Sequence, residues 1–74
     1  MSGISLKIQF GNRLKFLRKK AGLTQTGLAD AVGVSVESIS NIERGIFGPG
    51  FDNLEKIAQV LKVKVRVLFE FDEQ

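Results

Sequence analysis

Residues 24–45, T-Q-T-G-L-A-D-A-V-G-V-S-V-E-S-I-S-N-I-E-R-G, leave the backbone few options. Thr24 suits a helix N-cap, its hydroxyl accepting a backbone N–H of the first turn. Leu28, Ala29 and Val32 follow on one face at helical spacing. Gly33 stands where a helix end favours a residue tolerant of positive φ. Val34 is an apolar plug, Ser35 caps a second time, and Ile39, Ile42 and Glu43 continue a second helical face until Gly45 ends it. The pattern predicts helices over 24–32 and 35–44. Both are too short to persist alone in water, so packing against the rest of the chain has to hold them.

With 74 residues the chain is expected to form one domain, 1–74, close to the lower size limit for a self-sufficient core. Domains this small often gain stability by pairing. There is no cysteine, histidine or tyrosine. Disulfides, Cys/His zinc sites and a histidine-based triad are therefore excluded. No paired carboxylates fall together with a polar cleft, so the sequence reads as no enzyme, with no cofactor and no metal. No apolar run approaches the ~18 residues of a membrane span, and the N-terminus lacks the order of a signal peptide. A cytoplasmic location is the expectation.

Net charge is only +3, but its distribution is uneven. Lys7, Arg13, Lys15, Arg18, Lys19 and Lys20 fall in a stretch without an acid, while Glu70, Asp72 and Glu73 gather at the other end. A basic first third suits phosphates; a solvated helix face with an acidic tail accounts for it equally well.

The flanks of the central stretch support it. In residues 1–8, Ile4, Leu6 and Ile8 alternate with Ser5 and Lys7, which predicts a short strand or extended arm. A first helix is expected from Gln9 to Ala21, with Phe10, Leu14, Leu17 and Ala21 as its buried stripe and Phe16 off it. Residues 46–50, I-F-G-P-G, read as a loop. Asp52 with Glu55 resembles a capping box for a fourth helix that buries Leu54, Ile57, Ala58 and Leu61, with Phe51 as an apolar anchor before it. Residues 63–71 alternate like a strand, yet Val67-Leu68-Phe69 suit a short helix. The favoured reading is a fifth helix over about 64–69, then a tail that pairs with the arm as a small two-stranded sheet. A lone strand pair needs a packed surface beneath it.

Cap, short helix, glycine turn, cap, short helix is the pattern of a helix-turn-helix, which carries its second helix into a DNA major groove. The chain resembles the Cro/repressor-type (XRE) helix-turn-helix family from about Phe10 to Phe69. The matching pieces are G-N-R-L-x-x-L-R at 11–18, G-L-T-Q at 22–25, L-A at 28–29, V-G-V-S at 32–35 and S-I-S-N-I-E-R-G at 38–45. Pro49, L-E-K-I-A at 54–58, L-K-V at 61–63 and L-F at 68–69 complete them. The resemblance implies an all-α fold of five helices and a homodimer on a two-fold-symmetric operator in double-stranded DNA.

It also implies roles for particular residues. Thr24 and Gln25 would hold a phosphate at the start of the second helix, although Gln25 also reads as a plain surface glutamine. Val36, Glu37 and Asn41 would meet bases, with Ser35, Ser38, Ser40 and Arg44 around them. Val36 suits a thymine methyl, Glu37 a cytosine amino group and Asn41 an adenine edge. Glu37 reads equally as a first-turn acid. Arg13, Lys15, Lys19 and Lys20 are further phosphate candidates. Arg18 and Glu43 would form a structural salt bridge, and Val65, Leu68 and Phe69, in a segment spanning 63–74, a dimer interface. Leu68 and Phe69 fit the monomer core as well.

Two features depart from the family pattern. Val36 and Glu37 replace the polar base readers common there, and loop 46–50 lacks the usual cation, with Phe47 either exposed or folded inward. The expected function is a sequence-specific transcriptional regulator, a repressor, in a phage, restriction–modification or toxin–antitoxin setting. The alternative is a protein-interaction module of the same fold, binding a toxin or another regulator.

Overall fold

The computed structural model describes residues 5–71. Four α-helices follow one another: α1 (Leu6–Lys20), α2 (Gln25–Val32), α3 (Val36–Glu43) and α4 (Phe51–Leu61). A short 3-10 helix, Val65–Phe69, closes the chain. Among the described residues there is no strand.

Among the described residues the fold is all-helical, with neither five α-helices nor a sheet. Helix α1 starts at Leu6, and Ser5 caps it by accepting from the Ile8 N–H at 3.3 Å. Leu6 and Ile8 are helical, so the expected arm over 1–8 is corrected from residue 5 onward; Ile4 lies outside the described residues. Over so few residues an alternating pattern also fits a helix, because Leu6, Phe10 and Leu14 stand four apart. At the other end the backbone bonds are local, Val67 N–H to Lys64 carbonyl (2.9 Å) and Glu70 N–H to Val67 carbonyl (3.3 Å). That leaves no extended edge at 65–70 for a partner strand.

Helix α1 ends on Arg18, Lys19 and Lys20, whose charges suit the negative pole of the helix. It buries Phe10, Leu14 and Leu17; Ala21, expected on that stripe, is its exposed C-cap. Helix α4 is capped by Gly50 without a side-chain bond. Asp52 is therefore not the cap. It lies inside the first turn, where its charge still complements the helix pole. Phe51 anchors nothing: it is 88% exposed.

The core gathers Leu14, Leu28, Ile39, Ile57 and Leu68, all fully buried, one from each element. Leu23, Val34, Val63 and Val67 close over it. Gly11 determines how near α1 comes to α3. A Cβ there would meet the carbonyl oxygens of Ile42 and Glu43, the latter at 2.7 Å. These are backbone atoms of α3's last turn and cannot rotate away. Gly11→Ala is expected to push the two helices apart and cost about 1–3 kcal/mol in urea unfolding. Gly48→Ala, with nothing near its Cβ position, should stay within about 0.5 kcal/mol.

Candidate nucleic-acid interface

Helices α2 and α3 are set by short-range bonds. Thr24 Oγ1 accepts from the Gly27 N–H at 2.9 Å. Gly33 takes φ 91° and turns the chain, with its N–H and that of Val34 both donating to the Ala29 carbonyl, at 2.8 and 3.0 Å. A residue with a Cβ is strained in that left-handed region. Ser35 Oγ accepts from the Ser38 N–H at 3.0 Å and donates to the Ser38 hydroxyl at 3.0 Å. Both serines are thus engaged in the cap of α3.

Helix α3 buries Ile39, Ile42 and Glu43. Val36, Glu37 and Arg44 are exposed, and Ser40 and Asn41 are half-buried. With 3.6 residues per turn, these five share the face opposite the core residues.

The far end of α3 is held by a buried polar cluster. Arg18 grips the Glu43 carboxylate with two bonds, Nε to Oε2 at 2.6 Å and Nη2 to Oε1 at 3.1 Å. Its Nη1 donates to the Leu23 carbonyl at 2.8 Å. Gln25 Nε2 donates to Glu43 Oε1 at 3.0 Å. Glu43 and Arg18 together therefore join α1, the turn before α2, the start of α2 and the end of α3. Gln25, read from sequence as a phosphate ligand, commits one of its amide hydrogens to this cluster. Sequence spacing does not reveal that bond, because it spans 18 residues.

Arg13 is the clearest correction among the basic residues. It is 4% exposed and its Nε donates to the Val67 carbonyl at 3.0 Å, so it ties α1 to the 3-10 helix and faces no phosphate. Lys15, Lys19 and Lys20 are exposed. In loop 46–50, Ile46 and Phe47 are exposed, and Phe47 also borders a small crevice of about 90 Å³ beside Val34 and Ser38.

Of the three residues expected at a dimer contact, Leu68 is fully enclosed and offers no surface. Val65 and Phe69 are partly exposed. Phe69 lines a groove of about 270 Å³ with Leu6, Phe10, Phe51 and Leu54. Leu6 and Phe51, read from sequence as an arm residue and an apolar anchor, lie instead at helix starts whose first turns stand clear of the core.

The Arg18–Glu43 pair makes a quantitative test. Removing one member leaves the other charged and buried. Arg18→Met and Glu43→Leu are each expected to cost about 3–5 kcal/mol in chemical unfolding. The double substitution should cost clearly less than their sum, and additive losses would show that the two side chains do not act as a pair.

Among the described residues no group of acidic, cysteine or histidine side chains is placed to hold a metal ion, and no helix is long and apolar enough to cross a membrane. A helix-turn-helix family model matches residues 14–68. The chain is 40% identical over 62 residues to an uncharacterized HTH-type transcriptional regulator of Archaeoglobus fulgidus, covering 84% of this chain and 87% of that one. Its backbone is similar to the restriction–modification controller protein C.AhdI of Aeromonas hydrophila: TM-score 0.81, 35% identity, 84% of this chain and 94% of the other. It is similar also to the P22 c2 repressor in complex with a synthetic operator: TM-score 0.78, 33% identity, 85% and 96% covered. The caps, the Gly33 turn and the matched span agree, and the chain belongs to the Cro/repressor-type (XRE) helix-turn-helix family of DNA-binding transcriptional regulators.

Proposed function

We propose that this chain is a sequence-specific transcriptional repressor that sits as a homodimer on a (pseudo)palindromic operator, with residues 35–44 in the major groove. One observation carries the reading. Helix α3 is capped at its start, clamped at its end and buried on one face only, so Val36, Glu37, Ser40, Asn41 and Arg44 are left to meet a partner. The likeness to a repressor on its operator supports DNA as that partner. In this reading Asn41 pairs with an adenine edge, Val36 touches a thymine methyl and Glu37 accepts from a cytosine amino group. Thr24, Gln25, Ser35, Ser38 and Arg44 serve the phosphates.

Pairing of two copies is supported by the groove at Leu6, Phe51 and Phe69, since apolar surface concentrated in one place favours a covering partner. Val65 and Phe69, from the 63–74 segment, would join it, with Leu68 as their support from within the core. A two-fold pairing uses the same patch on both copies. A protein-interaction module is the second reading, favoured by Val36 and Glu37 on the open face and by an uncharged loop 46–50.

Binding to genomic and random DNA fragments across a salt series separates the two. A repressor retains a specific fragment with steep salt dependence; no retention above background at low salt hands the function to the second reading. With the operator in hand, Asn41→Ala should lose about 1–3 kcal/mol of discrimination at one base pair per half-site. Gln25→Ala should weaken all fragments alike. Phe51→Glu, at a site open to solvent, should leave the fold intact and shift sedimentation from dimer to monomer. An unchanged dimer would remove this groove from the interface.

A further inference from the structure

A half-open cavity of about 400 Å³ lies apart from the helix-turn-helix, between the C-terminal half of α1, the end of α4 and the 3-10 helix. Leu17, Leu61, Val63 and Val67 give it aliphatic walls. Phe16, Arg13 and Lys20 also line it, and among the described residues no acidic side chain does.

The two cations are unusually placed. Lys20 Nζ lies 5.9 Å from the centre of the Phe16 ring, and Arg13 Cζ lies 5.6 Å from the same ring. Arg13 is almost wholly buried and incompletely satisfied. Its Nε has the Val67 carbonyl, its Nη2 lies 3.8 Å from Glu70, and its Nη1 is screened from water with no hydrogen-bond partner among the described residues. A buried charged N–H without an acceptor is a standing cost to the fold.

We propose that this cavity binds a small amphiphilic carboxylate. The hydrocarbon chain lies against Leu17, Leu61 and Val67, and the carboxylate meets Lys20 at the mouth and, after a turn of the guanidinium, Arg13. The volume falls within the range of about 300–1,000 Å³ usual for small-molecule sites. Aliphatic walls alone would accept a neutral chain equally well. Two cations line the site, and Arg13 meets Glu70 only at 3.8 Å and through one nitrogen, so they favour an anion, because charge-assisted bonds are the stronger ones. None of the lining residues belongs to α2 or α3. Binding can therefore be tested on the protein without DNA, and its test stands or falls apart from the repressor reading.

The full-length, isotopically labelled protein is titrated with octanoate and, separately, with octanol at neutral pH, following backbone amide shifts and thermal unfolding. Octanoate is expected to move the amides of Phe16, Lys20, Val63 and Val67 saturably, with half-saturation at about 1 mM or below. It should also raise the unfolding temperature, since it binds the folded state. Octanol should bind at least about tenfold more weakly, the loss of one charged hydrogen bond. Lys20→Gln, an exposed substitution, should weaken octanoate severalfold and leave octanol unchanged. Arg13→Met should also weaken octanoate, and only together with Lys20→Gln should octanoate fall to the level of octanol. Unmoved cavity amides overturn the proposal. So does equal affinity for acid and alcohol, and so do shifts gathered on Leu6, Phe51 and Phe69 instead.

Discussion

The carboxylate of Glu43 stands at the wrong end of its helix. The last turn of α3 carries the negative pole, which repels an acid, and burial adds a desolvation cost. Arg18 offsets both with a two-pronged, charge-assisted grip, and Gln25 adds a third donor. The geometry that follows is specific. A planar guanidinium meeting a planar carboxylate fixes direction as well as distance, so the end of α3 is located against α1 and the start of α2 together. A hydrophobic contact in the same place would hold α3 equally close and allow it to slide or roll.

Backbone contact completes that control. Because Gly11 carries no side chain, α1 lies directly against the carbonyls of Ile42 and Glu43. Polar clamp and close approach therefore act on the same turn of α3. At the other end the Ser35 cap fixes where the helix begins. An eight-residue helix is unstable alone; this one is pinned at both ends and needs little more than Ile39 and Ile42 to hold its middle. Its remaining face is released from structural duty, which is what a recognition surface requires.

The parts of the fold legible in the sequence were those governed by local chemistry. Thr24, Gly33 and Ser35 act within four residues of themselves, and helical spacing marks Leu28, Ile39 and Ile57 as core. The misreadings have physical causes too. Leu6 and Ile8 alternate, but the four-residue spacing of Leu6, Phe10 and Leu14 also fits a helix, and three residues cannot separate the two periods. Asp52 has the chemistry of a cap and one residue too many before it, since α4 starts at Phe51. Arg13 sits in a basic run, and nothing local marks it for a carbonyl 54 positions away. Of the candidate site, the pairing of Arg18 with Glu43 came through family resemblance, whereas its tie to Gln25 came only with the coordinates. Phe51 reads as an apolar anchor before the fourth helix and is open because its turn leaves the core.

Charge sets the terms on which the proposed repressor would work. Net charge is +3, Arg13 is withdrawn into the interior, loop 46–50 has no cation, and Glu37 places an acid on the open face of α3. Affinity of one copy for a phosphate backbone rises with the number of cations that displace counterions, and here that number is small. A single copy would therefore hold DNA weakly at any sequence. Linking two copies changes this, because the second half-site is then met at high effective concentration. Weak contact to the backbone also suppresses binding to the excess of wrong sites, which Glu37 further disfavours through repulsion. Specificity of this kind would belong to the proposed dimer and not to the helix. In the proposed repressor, the apolar groove around Phe51 and the open face of α3 would in that sense be two halves of one function.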